Sequence, residues 1–230
     1  VLAKKKHSLN SAALNKLAPI ELSPLDHLIS QVDTFIKTTS GSIGHRHRES
    51  PARVIAESEL TQAEKELSAR LMRINHCGEV CAQALYQGQA VTARNAITSN
   101  VMHEAAEEES DHLAWCEKRI EELDSHVSFL NPVWYAASFS MGMLTGLMGD
   151  KVNLGFVAAT EQEVCRHLDD HLQKLPSDDN KSRAILSQMK VDEKKHETTA
   201  IGHGGSKFPS PVTSLMRQVS KLMTRTTYWV

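Results

Sequence analysis

Glu109-Ser110-Asp111-His112 and Glu193-Lys194-Lys195-His196 are two copies of one spacing, a glutamate and a histidine three residues apart. On a helix this spacing puts both side chains on one face, about 60° apart around the axis and roughly one turn along it. A carboxylate and an imidazole so placed can bind one metal ion together. With 18 Glu and 12 His in 230 residues, about one such pair is expected by chance, so a single copy would carry little weight. The arrangement around the copies carries more. Glu79 stands 30 residues before Glu109, and Glu161 stands 32 before Glu193, so the order Glu … Glu-x-x-His repeats with offsets of 82 and 84 residues.

One Glu from each of two helices and Glu-x-x-His from each of two others is the ligand set of the ferritin-like di-iron and di-manganese bundles. Two helical hairpins related by a pseudo-two-fold axis would bring Glu79, Glu109, His112, Glu161, Glu193 and His196 to one centre. Glu161 follows the apolar lead-in Phe156-Val157-Ala158-Ala159-Thr160, where a free carboxylate is costly. The competing reading makes Glu107, Glu108 and Glu109 a solvated acidic face and the histidines incidental. It suits one copy better than two. Carboxylates with two imidazoles suit iron or manganese, whereas zinc accepts the same ligands but has no redox chemistry.

Working outward, the periodicity predicts an all-α chain with no sustained strand-like alternation. A short amphipathic helix is predicted over 22–38, with Leu25, Leu28, Ile29 and Val32 on one face, and a Ser-, Gly-, His- and Arg-rich linker over 39–56. Thr61 with Glu64 is a capping-box signature that opens a helix over 61–97. Further helices are predicted over 99–124, 131–149, 151–174, 180–203 and 212–226. Residues 1–56 thus read as an extension with a linker, and 57–230 as the di-iron bundle domain. Residues 1–20 carry Lys4, Lys5, Lys6 and Lys16 and no acid, which suits a transit-type leader or an upstream extension. The first 30 residues lack the apolar core of a secretory signal.

Bulk composition excludes some classes. Hydrophobic residues make up 40% of the chain and aromatics 5%, a balance that favours helix over sheet. A net charge of −2 gives no basic field for nucleic acid. The four cysteines form no Cys-x-x-Cys. Cys77 and Cys81 lie a helical turn apart, but reduced, half-buried thiols are the simpler reading than a shared metal.

Four runs resemble the demethoxyubiquinone hydroxylases, most closely the bacterial form: Arg73-Ile74-Asn75-His76-Cys77-Gly78-Glu79, Glu107 through Trp115, Ala158-Ala159-Thr160-Glu161, and Asp192-Glu193-Lys194-Lys195-His196. The likeness covers about residues 22–230. It implies two irons per chain, with Glu79 and the Glu109–His112 pair serving one, Glu161 and His196 the other, and Glu109 and Glu193 bridging. It implies an O2-dependent monooxygenase that adds a hydroxyl to a polyprenylated methoxy-methyl-benzoquinone, with an electron donor such as NADH and other ubiquinone-biosynthesis proteins as partners. Tyr86, seven residues after Glu79, shares its helix face; a plain core tyrosine is the simpler reading than a redox one. His167 points away from Glu161 on a helical wheel and is not read as a ligand.

A greasy substrate needs an apolar surface. Residues 131–149 hold 19 positions without a charge, near the lower limit for a span. A span would part the two halves of a shared metal site, so this segment reads as an interfacial or dimer-packing helix, with Gly142 and Gly146 allowing close approach. In the last helix Val212, Leu215, Met216, Val219, Leu222 and Met223 fall in one arc and Arg217, Lys221 and Arg225 opposite. That pattern suits equally a helix packed on the bundle with a solvated basic face and a helix lying in a membrane interface; the greasy substrate favours the second, a peripheral membrane protein expected on the cytoplasmic face of a bacterial inner membrane. The rival functions are iron storage by a ferritin-like bundle and a di-iron hydroxylase acting on tRNA.

Overall fold

A computed structural model of the chain describes residues 23–40 and 48–230; residues 1–22, with Lys4, Lys5, Lys6 and Lys16, and residues 41–47 of the predicted linker lie outside the described residues. The described residues form seven helices and no strand: α1 Pro24–Ser40, α2 Gln62–Thr92, α3 Ala96–Glu122, α4 Asn131–Leu147, α5 Asp150–Lys174, α6 Asn180–Gly202 and α7 Ser210–Thr227.

Local chemistry sets most of the boundaries. Thr61 and Glu64 form the reciprocal capping box at the start of α2. The predicted helix over 61–97 stops earlier, at Thr92. Asn95 caps α3 by accepting from the Thr98 amide, while Asp150 holds the Arg94 amide across the turn. A capping Asn three residues before Thr98 was the signal to read there. Asp179 caps α6 through the Ser182 amide.

The apolar side chains gather into two layers along the bundle. One layer joins Met72 of α2, Trp115 and Ile120 of α3, Leu168 of α5 and Leu186 and Met189 of α6. The other joins Tyr86 of α2, Met102 of α3, Leu154 and Val157 of α5 and Ala200 of α6. Following residue numbers from layer to layer gives the directions: α2 and α6 run one way, α3 and α5 the other. Each of these four helices passes its predicted ligand or ligands between the layers. The four-helix core therefore sandwiches one polar level between two apolar ones, and truncating a side chain such as Trp115 would cost about 3–5 kcal/mol.

Because α3 and α5 are parallel, the chain must travel back along the bundle between them, and α4 is that crossover. It lies along α2, with Gly88 beneath Phe139 and Gly142 beneath Leu85; a Cβ on either glycine would sit 2.2 Å from a backbone oxygen of the other helix. The small-residue face of α4 is thus used inside the chain rather than between copies, while Val133, Met141, Leu144 and Leu147 on its other face are exposed. No described helix is long and apolar enough to cross a membrane. On α7 the predicted apolar arc is split, with Leu215, Val219 and Leu222 exposed and Met216 and Met223 half-buried, and Thr227 is the helix's one buried residue.

Residues 48–56, read from composition as the end of the linker, and Glu57 just beyond it pack on the bundle. Ala52 enters the first apolar layer. Glu57 pairs with Arg119, a buried guanidinium that also meets Glu122, Asp179 and Ser182.

Candidate metal centre

Between the apolar layers, Glu79 of α2, Glu109 and His112 of α3 and Glu193 of α6 offer ligand atoms within 4.8 Å of one another, and all four are buried. His112 Nδ1 lies 2.8 Å from Glu109, 3.1 Å from Glu193 and 3.6 Å from Glu79. The second half adjoins it. His196 Nδ1 stands 3.2 Å from an oxygen of Glu109 and 3.2 Å from one of Glu193, so these two carboxylates face both imidazoles. Glu161 of α5, 1% exposed, feels the charges of Glu193 and Glu109 and accepts a hydrogen bond from the Tyr86 hydroxyl. All six predicted residues therefore meet at one level. Glu107 is the exposed member of its acidic run; Glu108 is partly buried and Glu109 fully so.

The electrostatics follow from crowding four carboxylates in a dry interior. Burial, then the charge on Glu109, pushes Glu79 well above the ordinary carboxylate range, and burial with Glu193 and Glu109 does the same to Glu161. Burial works against the charge on Glu109 too, but His112 and His196 outweigh it and hold that carboxyl well down. Both imidazoles are raised despite burial, His112 chiefly by Glu109 and Asp192 and His196 chiefly by Glu108 and Glu109. The second oxygen of Glu161 accepts no hydrogen bond, and the buried Oε1 atoms of Glu109 and Glu193 have only the Nδ1 of His196 and of His112 beside them. A level with more carboxylates than its imidazoles can neutralise, and with unsatisfied oxygens aimed inward, fits polyvalent cations.

Each imidazole is held from behind. His112 Nε2 lies 2.9 Å from Asp192 Oδ2, and His196 Nε2 lies 3.2 Å from Glu108 Oε2. An acceptor at Nε2 fixes the ring and leaves Nδ1 facing inward. Tyr86 is more than the plain core tyrosine expected, since it orients Glu161. Asp192 and Glu108 were inside the quoted sequence runs but unassigned; their places just before Glu193 and Glu109 are consistent with a supporting role, yet spacing alone does not reveal it. His167 turns to Ser220 of α7, 2.7 Å away, and His171 to Asn75, 2.8 Å away. All four cysteines are free thiols, and among the described residues none joins the cluster.

Comparison with known proteins then supplies names. The family model of ubiquinone biosynthesis protein COQ7 matches residues 66–227. The 3-demethoxyubiquinol 3-hydroxylase of Stutzerimonas stutzeri is 55% identical over 206 residues, 90% of this chain and 96% of that protein. Proteins of the same name from Pseudomonas putida and Chromohalobacter salexigens are 54% and 52% identical, each over 90% of this chain and 96% and 98% of their own lengths.

Proposed function

The chain belongs to the family of ubiquinone biosynthesis protein COQ7, and from that premise we propose that it is a 3-demethoxyubiquinol 3-hydroxylase with a carboxylate-bridged pair of irons. It uses O2 and two electrons to place one oxygen on the ring of a polyprenylated methoxy-methyl-benzoquinol and releases the other as water. Glu79 and His112 would hold one iron and Glu161 and His196 the other, with Glu109 and Glu193 placed to serve both. Bound iron supplies the activation of O2. The chain's own residues do the rest. Asp192 and Glu108 hold the imidazoles in register, Tyr86 aims Glu161, and the two apolar layers keep water from the reacting level.

The observation that carries this reading is the buried cluster of Glu79, Glu109, His112 and Glu193, with His196 set against the same Glu109 and Glu193, in a chain of this family. Iron analysis of anaerobically purified protein, paired with the quinone profile of a deletion strain, tests it. Two irons per chain and accumulation of the demethoxy intermediate are expected. Normal ubiquinone in that strain would overturn the reaction and favour iron storage or another substrate, such as tRNA.

The substrate's tail motivates the second half of the proposal, peripheral attachment to the cytoplasmic face of a bacterial inner membrane. Supporting it are the exposed apolar residues of α7, together with Leu25, Ile29, Val32 and Ile36 exposed along α1. The electron donor, NADH being one candidate, and other ubiquinone-biosynthesis proteins complete the expected partners. Truncation at Pro211 should weaken liposome binding; a truncated protein that binds vesicles as well as the full chain would remove α7 from the attachment surface.

A further inference from the structure

Arg48 precedes the stretch matched by the family model, which begins at residue 66, yet it reaches the metal centre from outside the four helices. Its Nε donates to Asp111 Oδ2 at 3.0 Å, and its backbone amide lies 3.3 Å from the other oxygen of that carboxylate. Its Nη1 donates to Asp192 Oδ2 at 2.8 Å. The guanidinium also stands over the Trp115 ring, 5.0 Å from its centroid, and the indole Nε1 donates to the Arg48 carbonyl at 3.4 Å. One side chain thus joins α3, through Asp111 and Trp115, to α6, through Asp192.

A surface ion pair would contribute little. Here both acceptors are buried, at 1% and 6% exposure, and each is adjacent in sequence to a residue of the six: Asp111 to His112, Asp192 to Glu193. Asp192 Oδ2 is shared, receiving Arg48 Nη1 at 2.8 Å and lying 2.9 Å from His112 Nε2. Arg48 Nη2 stands farther from that Nε2, at 3.4 Å. An Nε2 whose hydrogen goes to Asp192 cannot also accept from Arg48, so the longer approach is packing and the shorter one is the bond. Arg48 therefore acts on His112 through Asp192.

We propose that Arg48 is a positioning residue for the metal centre: by tying Asp111 to Asp192 it fixes the carboxylate that orients His112 and sets the spacing of the helices that carry Glu109 and Glu193. The role is supplied by the segment before α2, so the centre is completed by chain outside the four-helix core. A planar fork suits two acceptors on different helices; an ammonium can satisfy one of them well but cannot span both with the same geometry.

The inference rests on the two-metal reading, and the test separates the two. Metal-free full-length protein is titrated anaerobically with Co(II), comparing the unaltered chain with Arg48→Met and Arg48→Lys, and visible absorption reports the ligand field. The unaltered chain should take up two ions. Arg48→Met, which keeps the stem on Trp115 and removes the fork, should bind roughly 10–100-fold more weakly with a shifted spectrum, and Arg48→Lys should recover part of the loss. A folded Arg48→Met protein with unchanged affinity and spectrum overturns the role of Arg48 alone. If that variant does not fold, an Arg48→Lys protein indistinguishable from the unaltered chain overturns it equally. An unaltered chain that takes up no Co(II) overturns the metal reading and the inference with it.

Discussion

His112 and His196 stand at the same step of the same repeat, each three residues after its glutamate, yet the two halves of the centre are held differently. His112 is wholly buried; its supporting Asp192 is buried, and Arg48 and Trp115 close the outside. The Nε2 of His196 faces Glu108, whose side chain is 26% exposed and also pairs with Lys195 at the surface. Glu79 lies in the tight cluster with both bridging carboxylates, whereas Glu161 lies outside it and takes its orientation from Tyr86. A repeated ligand pattern thus fixes which atoms meet, while neighbours that do not repeat decide how rigidly each half is kept. The half near Arg48 is the locked one, and the half near Glu108 is the one with room to adjust.

The largest effect tests whether the halves are joined at all. Glu109→Ala or Glu193→Ala removes a carboxylate that faces both imidazoles, so each should abolish nearly all bound iron. Glu79→Ala and Glu161→Ala touch one half each and should leave about one iron of the pair. Metal analysis after anaerobic purification decides. A Glu109→Ala protein that retains half its iron would mean that the halves bind independently.

Histidines elsewhere in the interior sharpen the contrast from another side. His112 and His196 are buried among carboxylates and are raised; His76 and His171 are buried away from them, and burial lowers each to about 4. Neutral in the folded chain, they take up a proton near 6.5 when it unfolds. The unfolded state therefore binds more protons between about 4 and 6.5, and stability falls as pH drops through that window. The loss reaches about 3 kcal/mol per histidine at the low end. In urea unfolding of the metal-free protein, His171→Asn should flatten the decline between pH 6.5 and 4 relative to the unaltered chain. An equal slope would show that His171 is already charged in the fold.

Tyr86→Phe comes next. The hydroxyl donates to a carboxylate whose other oxygen accepts nothing, and a bond to a charged group contributes about 1.5–3 kcal/mol. Roughly 10–100-fold weaker binding of one ion, with the other unchanged, is the expected Co(II) titration. Equal weakening of both would show that Tyr86 supports the whole level rather than the Glu161 half.

The sequence made the ligand level readable because Glu-x-x-His is a local spacing, and a helix converts local spacing into a shared face. The helices were readable for the same reason, apart from the turn at Ala93–Asn95, which interrupts a stretch without proline. The contacts that distinguish the halves were not readable. Tyr86 meets Glu161 across 75 positions, and Arg48 meets Asp111 and Asp192 across 63 and 144. No periodicity encodes such pairings; they follow from which helix neighbours which. Residues 48–56 read as linker for a related reason, since a stretch rich in Ser, Gly, His and Arg marks an irregular backbone whether it is loose or packed. The uncharged run over 131–149 likewise announced an apolar helix but not that α4 is the crossover along α2.

The smallest effect is the most discriminating between the halves, because it compares two supporting carboxylates of like chemistry. Asp192 and Glu108 each face the Nε2 of one imidazole. Its pairing with His196 and Lys195 holds Glu108 at about 2, so it is ionised at neutral pH, but it stands at the rim where water screens it. A pair of that exposure contributes about 0–1 kcal/mol, and water can replace the lost carboxylate behind His196. Glu108→Gln should therefore weaken Co(II) binding by less than about fivefold, and added salt should narrow the difference further. Asp192→Asn leaves His112 and Arg48 facing a neutral amide in a buried setting, where water cannot readily compensate, and should weaken binding roughly 10–100-fold with little dependence on salt. If Glu108→Gln costs as much as Asp192→Asn, the rim of the second half is as constrained as the buried side of the first, and the two imidazoles are held alike.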